Sequence, residues 1–120
     1  MSNIRFFQCK ECGLMAASLN DKVIPNLNEL IPNTVEASGE KHKPVVKVEG
    51  DKVIVSVGSV AHPMVEEHYI EWVYVQTERG GARKGLKPGE APEVSFAMGG
   101  EKPIAVYAYC NLHGLWMTEL

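Results

Sequence analysis

The chain has 120 residues, with 12 Lys and Arg against 15 Asp and Glu, a net charge of −3, three Cys and four His. That length fits one domain with a core of its own, and 45% apolar with 22% charged residues is an ordinary globular balance, which excludes a disordered tail protein. No apolar run approaches the roughly 20 residues of a membrane span, the first residues lack a charged-then-apolar signal region, and the acidic balance lacks the footprint of a duplex-binding protein, so neither a membrane nor a nucleic acid is expected as a partner.

Phe6 to Ser18 reads as a short head carrying Cys9-Lys10-Glu11-Cys12-Gly13. Asn20 to Ser38 is a loop with Pro25, Pro32 and four Asn, in which a single helical turn over Asn26 to Leu30 is the most regular structure expected. From Gly39 onward the pattern becomes β. Pro44 to Glu49 and Lys52 to Val57 are Val-rich runs joined by Gly50-Asp51, a two-residue hairpin signal. Tyr69 to Gln76 is aromatic and β-branched, as suits a half-buried strand. Gly80-Gly81 punctuates it, and a basic stretch follows to Pro88-Gly89. Glu93 to Met98 alternates, Gly99-Gly100 turns the chain, and Pro103 to Tyr109 and Leu115 to Glu119 complete the series. Short strands between turn signals, with no helix of length, predict an antiparallel β-sandwich or barrel. The chain divides into a short N-terminal segment, 1–38, and a β domain, 39–120.

Three cysteines do not make a secreted disulfide framework, so a reducing cytoplasm is the expected location and metal or redox work the expected use of the thiols. All four histidines lie outside the predicted strands or at their margins. His42 precedes Pro44, His62 is followed by Pro63, His68 opens the Tyr69 strand, and His113 stands three residues after Cys110. A lone histidine beside a strand is usually solvated or hydrogen-bonded, but the loops of a sandwich gather at its two ends, where distant residues meet. Two ligand sets stay open on spacing alone. Cys9 and Cys12 with Cys110 and His113 would make a closed tetrahedral zinc site. His42, His62, His68 and His113 with Cys110 make five ligands, more than zinc favours and suited to iron.

The segments Gly39-Glu40-Lys41-His42-Lys43-Pro44, Val60-Ala61-His62-Pro63-Met64, Glu67-His68-Tyr69-Ile70-Glu71-Trp72 and Cys110-Asn111-Leu112-His113-Gly114-Leu115-Trp116 resemble the iron centre of the superoxide reductases, the desulfoferrodoxin and neelaredoxin family. The resemblance implies an immunoglobulin-like β-sandwich. It implies one mononuclear non-haem iron, with His42, His62, His68 and His113 as equatorial ligands and Cys110 as axial thiolate. The activity implied is one-electron reduction of superoxide to hydrogen peroxide at the position opposite Cys110. Glu40 corresponds to the carboxylate that occupies that position in the oxidised state, and Lys41 to the lysine beside it. Trp72 and Trp116 are expected to pack near the centre. The implied partners are superoxide and a rubredoxin-like electron donor, and a homo-oligomer is expected.

One branch of the family carries a desulforedoxin-like N-terminal domain with iron in four cysteines. Cys9 and Cys12 resemble its first pair, but no cysteine lies between Gly13 and Tyr109, so the head is a degenerate version. The pair reads as two idle thiols, as a reversible disulfide, or as half of a four-cysteine site shared across a two-fold axis. The rival to the enzyme reading is a non-catalytic metal-binding or electron-transfer β-sandwich.

Overall fold

The computed structural model describes residues 4–34 and 41–120. Contacts divide the chain into two units, Met1–Ile31 and Pro32–Leu120. The first holds β1 (Arg5–Gln8), β2 (Met15–Ser18) and β3 (Asn28–Leu30) in an antiparallel sheet of order β2-β1-β3. The helical turn expected over Asn26 to Leu30 does not form. Asn26 turns the chain at φ 69°, and Asn28–Leu30 then pair with Gln8, Phe7 and Phe6. One turn of helix fixes three residues for a single hydrogen bond, whereas the waiting edge of β1 rewards each residue laid along it.

The second unit holds β4 (Pro44–Glu49), β5 (Lys52–Val57), β6 (Ile70–Thr77), β7 (Gly80–Gly85), β8 (Glu93–Ala97), β9 (Ala105–Cys110) and β10 (Gly114–Glu119). They form two antiparallel sheets, β10-β9-β6-β7 and β4-β5-β8. The core is built from the inward faces of both: Val53, Val55 and Val57 of β5 and Phe96 of β8 meet Ile70, Val73 and Val75 of β6 and Val106, Ala108 and Cys110 of β9. This is the expected β-sandwich, and the Gly50-Asp51 hairpin sets its register, Glu49 facing Lys52 and Pro44 facing Val57. Among the described residues no helix is long and apolar enough to cross a membrane.

β7 was not expected, because its glycines and charges read as a turn. Gly81 is in the strand for a steric reason. A Cβ there would collide with the Val75 carbonyl oxygen and the Tyr74 ring, so only glycine lets β7 close against β6. The remaining side chains of β7 face solvent, which is why its sequence is polar.

Three tests follow from this packing. Phe96→Ala empties a buried site and is expected to cost about 3–5 kcal/mol in urea unfolding. Gly81→Ala is expected to destabilise by more than about 1 kcal/mol, whereas Val48→Ala on the exposed side of β4 stays within about 0.5 kcal/mol. Tyr107 donates to Gln76 Oε1 at 3.0 Å, and burial, with Glu119 and Tyr74, pushes its phenol up to about 12. The folded state thus holds that proton where the unfolded chain, near 10, has lost it. Stability from this group is full below pH 10 and disappears as pH rises to 12. Absorbance titration should show a phenol near 12 that Tyr107→Phe removes.

Candidate metal centre

Five side chains hang from one end of the sandwich, set there by strand register, by loop hydrogen bonds and, for His42, by ring stacking. Cys110 is the last residue of β9, opposite Ile70 and Gly114. His113 lies in the tight β9–β10 connection that Gly114 completes at φ 83°. His62 is fixed by its own N–H, which donates to the Val57 carbonyl at 2.9 Å and closes the loop after β5. His68 ends a small loop pinned by two bonds between Val65 and His68, at 3.0 and 3.1 Å. His42 enters just before β4, stacked on the Trp116 indole with centroids 4.8 Å apart and planes 17° apart.

The four imidazoles close into a quadrilateral. Around it the centroid distances are 4.8 Å for His42–His62, 4.7 Å for His62–His68, 4.9 Å for His68–His113 and 4.7 Å for His113–His42. The diagonal His42–His68 is 6.3 Å. Neighbouring rings stand edge to face, at 68° to 81°. The donor atoms of His42, His68, Cys110 and His113 all lie within 4.8 Å of one another, a group that could hold a metal ion. His62 is not part of that group of four, but its ring is the remaining corner of the quadrilateral. The gathered group lies in the second unit and includes neither Cys9 nor Cys12.

The donor atoms fit a metal on three counts. His42 Nε2 and His113 Nδ1 are 3.0 Å apart, the separation of two adjacent nitrogens that share one ion at about 2.1 Å. His62 Nε2 and His68 Nε2 are buried with no hydrogen-bond partner. The Pro63 carbonyl accepts from His62 Nδ1 at 2.7 Å; a carbonyl can only accept, so the proton sits on Nδ1 and the Nε2 lone pair is free. Burial above all keeps His62 and His68 in the neutral form that ligates metals. Burial first, then the charges of His42, His68 and His113, bring His62 down to about 4 against the opposing Pro63 bond. Burial, His113, His42 and Lys41 likewise lower His68. Burial pushes the Cys110 thiol up, with Glu71 adding to it, while the N–H groups of His113 and Leu112 pull it back.

Lys41 is exposed, and its charge reaches His68. Glu40 lies outside the described residues. His113 is exposed and His68 half-buried, so the group opens to solvent on their side. Trp116 sits against the site as expected, donating from Nε1 to the His113 carbonyl at 3.1 Å. Trp72 stacks on Tyr109 across β6 and β9 at 5.6 Å.

The family model described as desulfoferrodoxin matches residues 34–119, and the chain belongs to that family. A desulfoferrodoxin of Syntrophotalea carbinolica is 40% identical over 125 residues, covering 97% of this chain and 96% of that one. Among solved structures, the superoxide reductase from Treponema pallidum superposes with a TM-score of 0.87 at 38% identity, over 99% of this chain and 100% of that one. The 1Fe superoxide reductase from Giardia intestinalis gives 0.55 at 34% identity, over 68% of this chain and 100% of that one.

Asn111 is a residue the sequence reading passed over. Its Oδ1 accepts from Tyr69 N at 2.9 Å and its Nδ2 donates to the Glu67 carbonyl at 3.0 Å. Its backbone N–H donates to the Tyr69 carbonyl at 3.2 Å. Three bonds thus straddle His68 and tie its loop to the end of β9. The signal was available: a short amide beside a ligand-type cysteine at a strand end. Asn111→Ala is expected to cost about 1–3 kcal/mol and to speed amide hydrogen exchange at Glu67 to Tyr69, measured by mass spectrometry, while β8 stays protected.

Proposed function

We propose that this chain is a superoxide reductase with one mononuclear iron held by His42, His62, His68, His113 and Cys110. The closed quadrilateral of imidazoles gathered with a buried thiol carries the reading. Four neutral nitrogens and one soft sulfur exceed a tetrahedral zinc set and match the donor preferences of iron. When bound, the iron supplies the single electron that turns superoxide toward hydrogen peroxide.

The chain's own residues do the rest. His62 is held in one tautomer by the Pro63 carbonyl, so its Nε2 needs no reorganisation to ligate. His42 is clamped by the Trp116 indole. Cys110 would hold the iron as a thiolate and bring negative charge to it, moderated by the N–H groups of His113 and Leu112. Lys41 draws the anionic substrate to the open side; its influence on His68 supports that role. Glu40 would supply the carboxylate of the family motif toward the ferric state, a role supported by its place in that motif.

The family motifs that carry the ligand set support an outside electron donor, a small rubredoxin-like protein. Three free cysteines support a reducing, cytoplasmic location. Exposed Leu14, Leu19, Val23 and Ile31 in the small first unit support a homo-oligomer.

The deciding experiment joins metal analysis to kinetics. The expected result is one iron per chain, a colour bleached by reductant, and superoxide consumed with formation of peroxide in pulse radiolysis. A colourless protein with stoichiometric zinc and no turnover overturns the reading and favours the non-catalytic rival. His68→Ala should lower iron retention by more than about tenfold. Lys41→Ala should keep the iron but slow superoxide capture about tenfold and flatten its salt dependence. Glu40→Ala should alter the visible spectrum of the ferric protein with iron content intact.

A further inference from the structure

The two cysteines of the first unit differ from Cys110 in what governs thiol chemistry. Cys110 is fully buried among apolar side chains. Cys12 is exposed and Cys9 half-buried, on the tight turn between β1 and β2. That turn is rigidly built. Gly13 N–H donates to the Cys9 carbonyl at 2.9 Å, Cys9 N–H donates to the Leu14 carbonyl at 2.9 Å, and Gly13 adopts φ 76°. Inside it, Cys12 N–H donates to Cys9 Sγ at 3.4 Å. The Cys12 thiol and the N–H groups of Glu11 and Gly13 reach the same sulfur, and these contacts hold Cys9 below the usual thiol range although burial opposes them. Donors gathered on one sulfur favour its thiolate, which is the nucleophilic form. Turn residues three apart have Cα atoms within about 7 Å, close to the span a disulfide bridges.

We propose that Cys9 and Cys12 are a peroxide-oxidisable dithiol, Cys9 the attacking sulfur and Cys12 the resolving one. The inference rests on the function proposed above for its source of oxidant, since hydrogen peroxide is the product of that reaction. Cys9 thiolate attacks one peroxide oxygen. An S–O bond forms, the O–O bond breaks, and the departing hydroxide takes a proton to become water. The sulfur is oxidised by two electrons and the peroxide reduced by two. Cys12 thiolate then attacks the sulfenic sulfur; the S–S bond forms, the S–O bond breaks, and a second water leaves. One peroxide and two thiols give one disulfide and two waters. A small dithiol reductant restores the pair by exchange. The chain thereby consumes part of the peroxide it releases, and the pair records how much has been made.

The test treats the full, iron-loaded chain with hydrogen peroxide added from outside and reads intact mass and a peptide map. The expected result is a loss of about 2 Da, located in a Cys9–Cys12 link within one chain and reversed by dithiothreitol. Cys12→Ser should instead gain about 16 Da on Cys9, trapped by dimedone. In Cys9→Ser, oxidation of Cys12 should be at least about tenfold slower. The proposal is overturned by an unchanged mass at the pair, by equal oxidation rates at the two sulfurs, by disulfides formed only between chains, or by a metal ion on the pair that blocks oxidation. Because the peroxide is added, a chain inactive toward superoxide can still close the link and an active reductase can fail to close it, so the two readings fail separately.

Discussion

Strands β6 and β9 pair from Gln76 and Ala105 down to Ile70 and Cys110, and that ladder stops where the imidazoles begin. Near its end the register shifts. Trp72 faces Tyr109, yet Ile70 faces Cys110, which leaves Glu71 as the extra residue of a bulge. Continued without the shift, the ladder would set Glu71 opposite Cys110 and put a carboxylate on the core face. The bulge gives that place to Ile70, so Ile70 and Cys110 are both fully buried while Trp72 and Tyr109 stack on the other side. Bulges bend a strand and re-aim its side chains, and they gather next to active sites. Glu71 stays close enough for burial to raise its own carboxyl and for its charge to raise the Cys110 thiol.

The end of the sandwich is assembled against the rule that shapes its middle. In the core, Val, Ile and Phe fill space and bury no polar atom. At the tip, two imidazole nitrogens are buried without a hydrogen-bond partner, each a cost of order 1–3 kcal/mol. Four rings that would repel if protonated are crowded to within 5 Å of their neighbours. Departures of this kind are expected at functional sites, where stability is given up locally and restored by what binds. On the proposed assignment one metal ion satisfies all of these lone pairs at once. The surrounding hydrogen bonds, accepted by the Pro63 carbonyl and Asn111 Oδ1 and donated by Trp116 Nε1, fix the His62 ring and the neighbouring loops in advance of binding.

Much of this was readable from residue order, and the parts that were not share a cause. The Gly50-Asp51 hairpin and the strands of β6, β8, β9 and β10 were legible because each is bounded by its own turn residues. β7 was not, because its glycines serve a close approach to Tyr74 and Val75 rather than a turn, a fact about a neighbouring strand. β3 was missed for the same reason: its pairing with β1 overrides a weak local preference. The four histidines and Cys110 could be singled out from their motifs, and their place at strand margins allowed them to meet at an end of the sandwich. Spacing could not choose between the iron set and a set using Cys9 and Cys12. Nor could it reveal that Asn111 bridges to Glu67 and Tyr69, since those contacts span more than forty positions.

The charge balance shows how local the relevant physics is. A chain of net charge −3 should repel an anion at long range. Salt screens that repulsion beyond about 8 Å under physiological conditions, so the sign that matters is the sign at the mouth of the site. Burial does most to hold His68 below its ordinary range, and the Lys41 charge acts in the same direction. With the imidazoles neutral, Lys41 is a fixed cation whose field reaches the ring, and on the proposed function that field favours an anion beside it. Acidic residues elsewhere on the surface leave this balance intact as long as they stay beyond the screening distance.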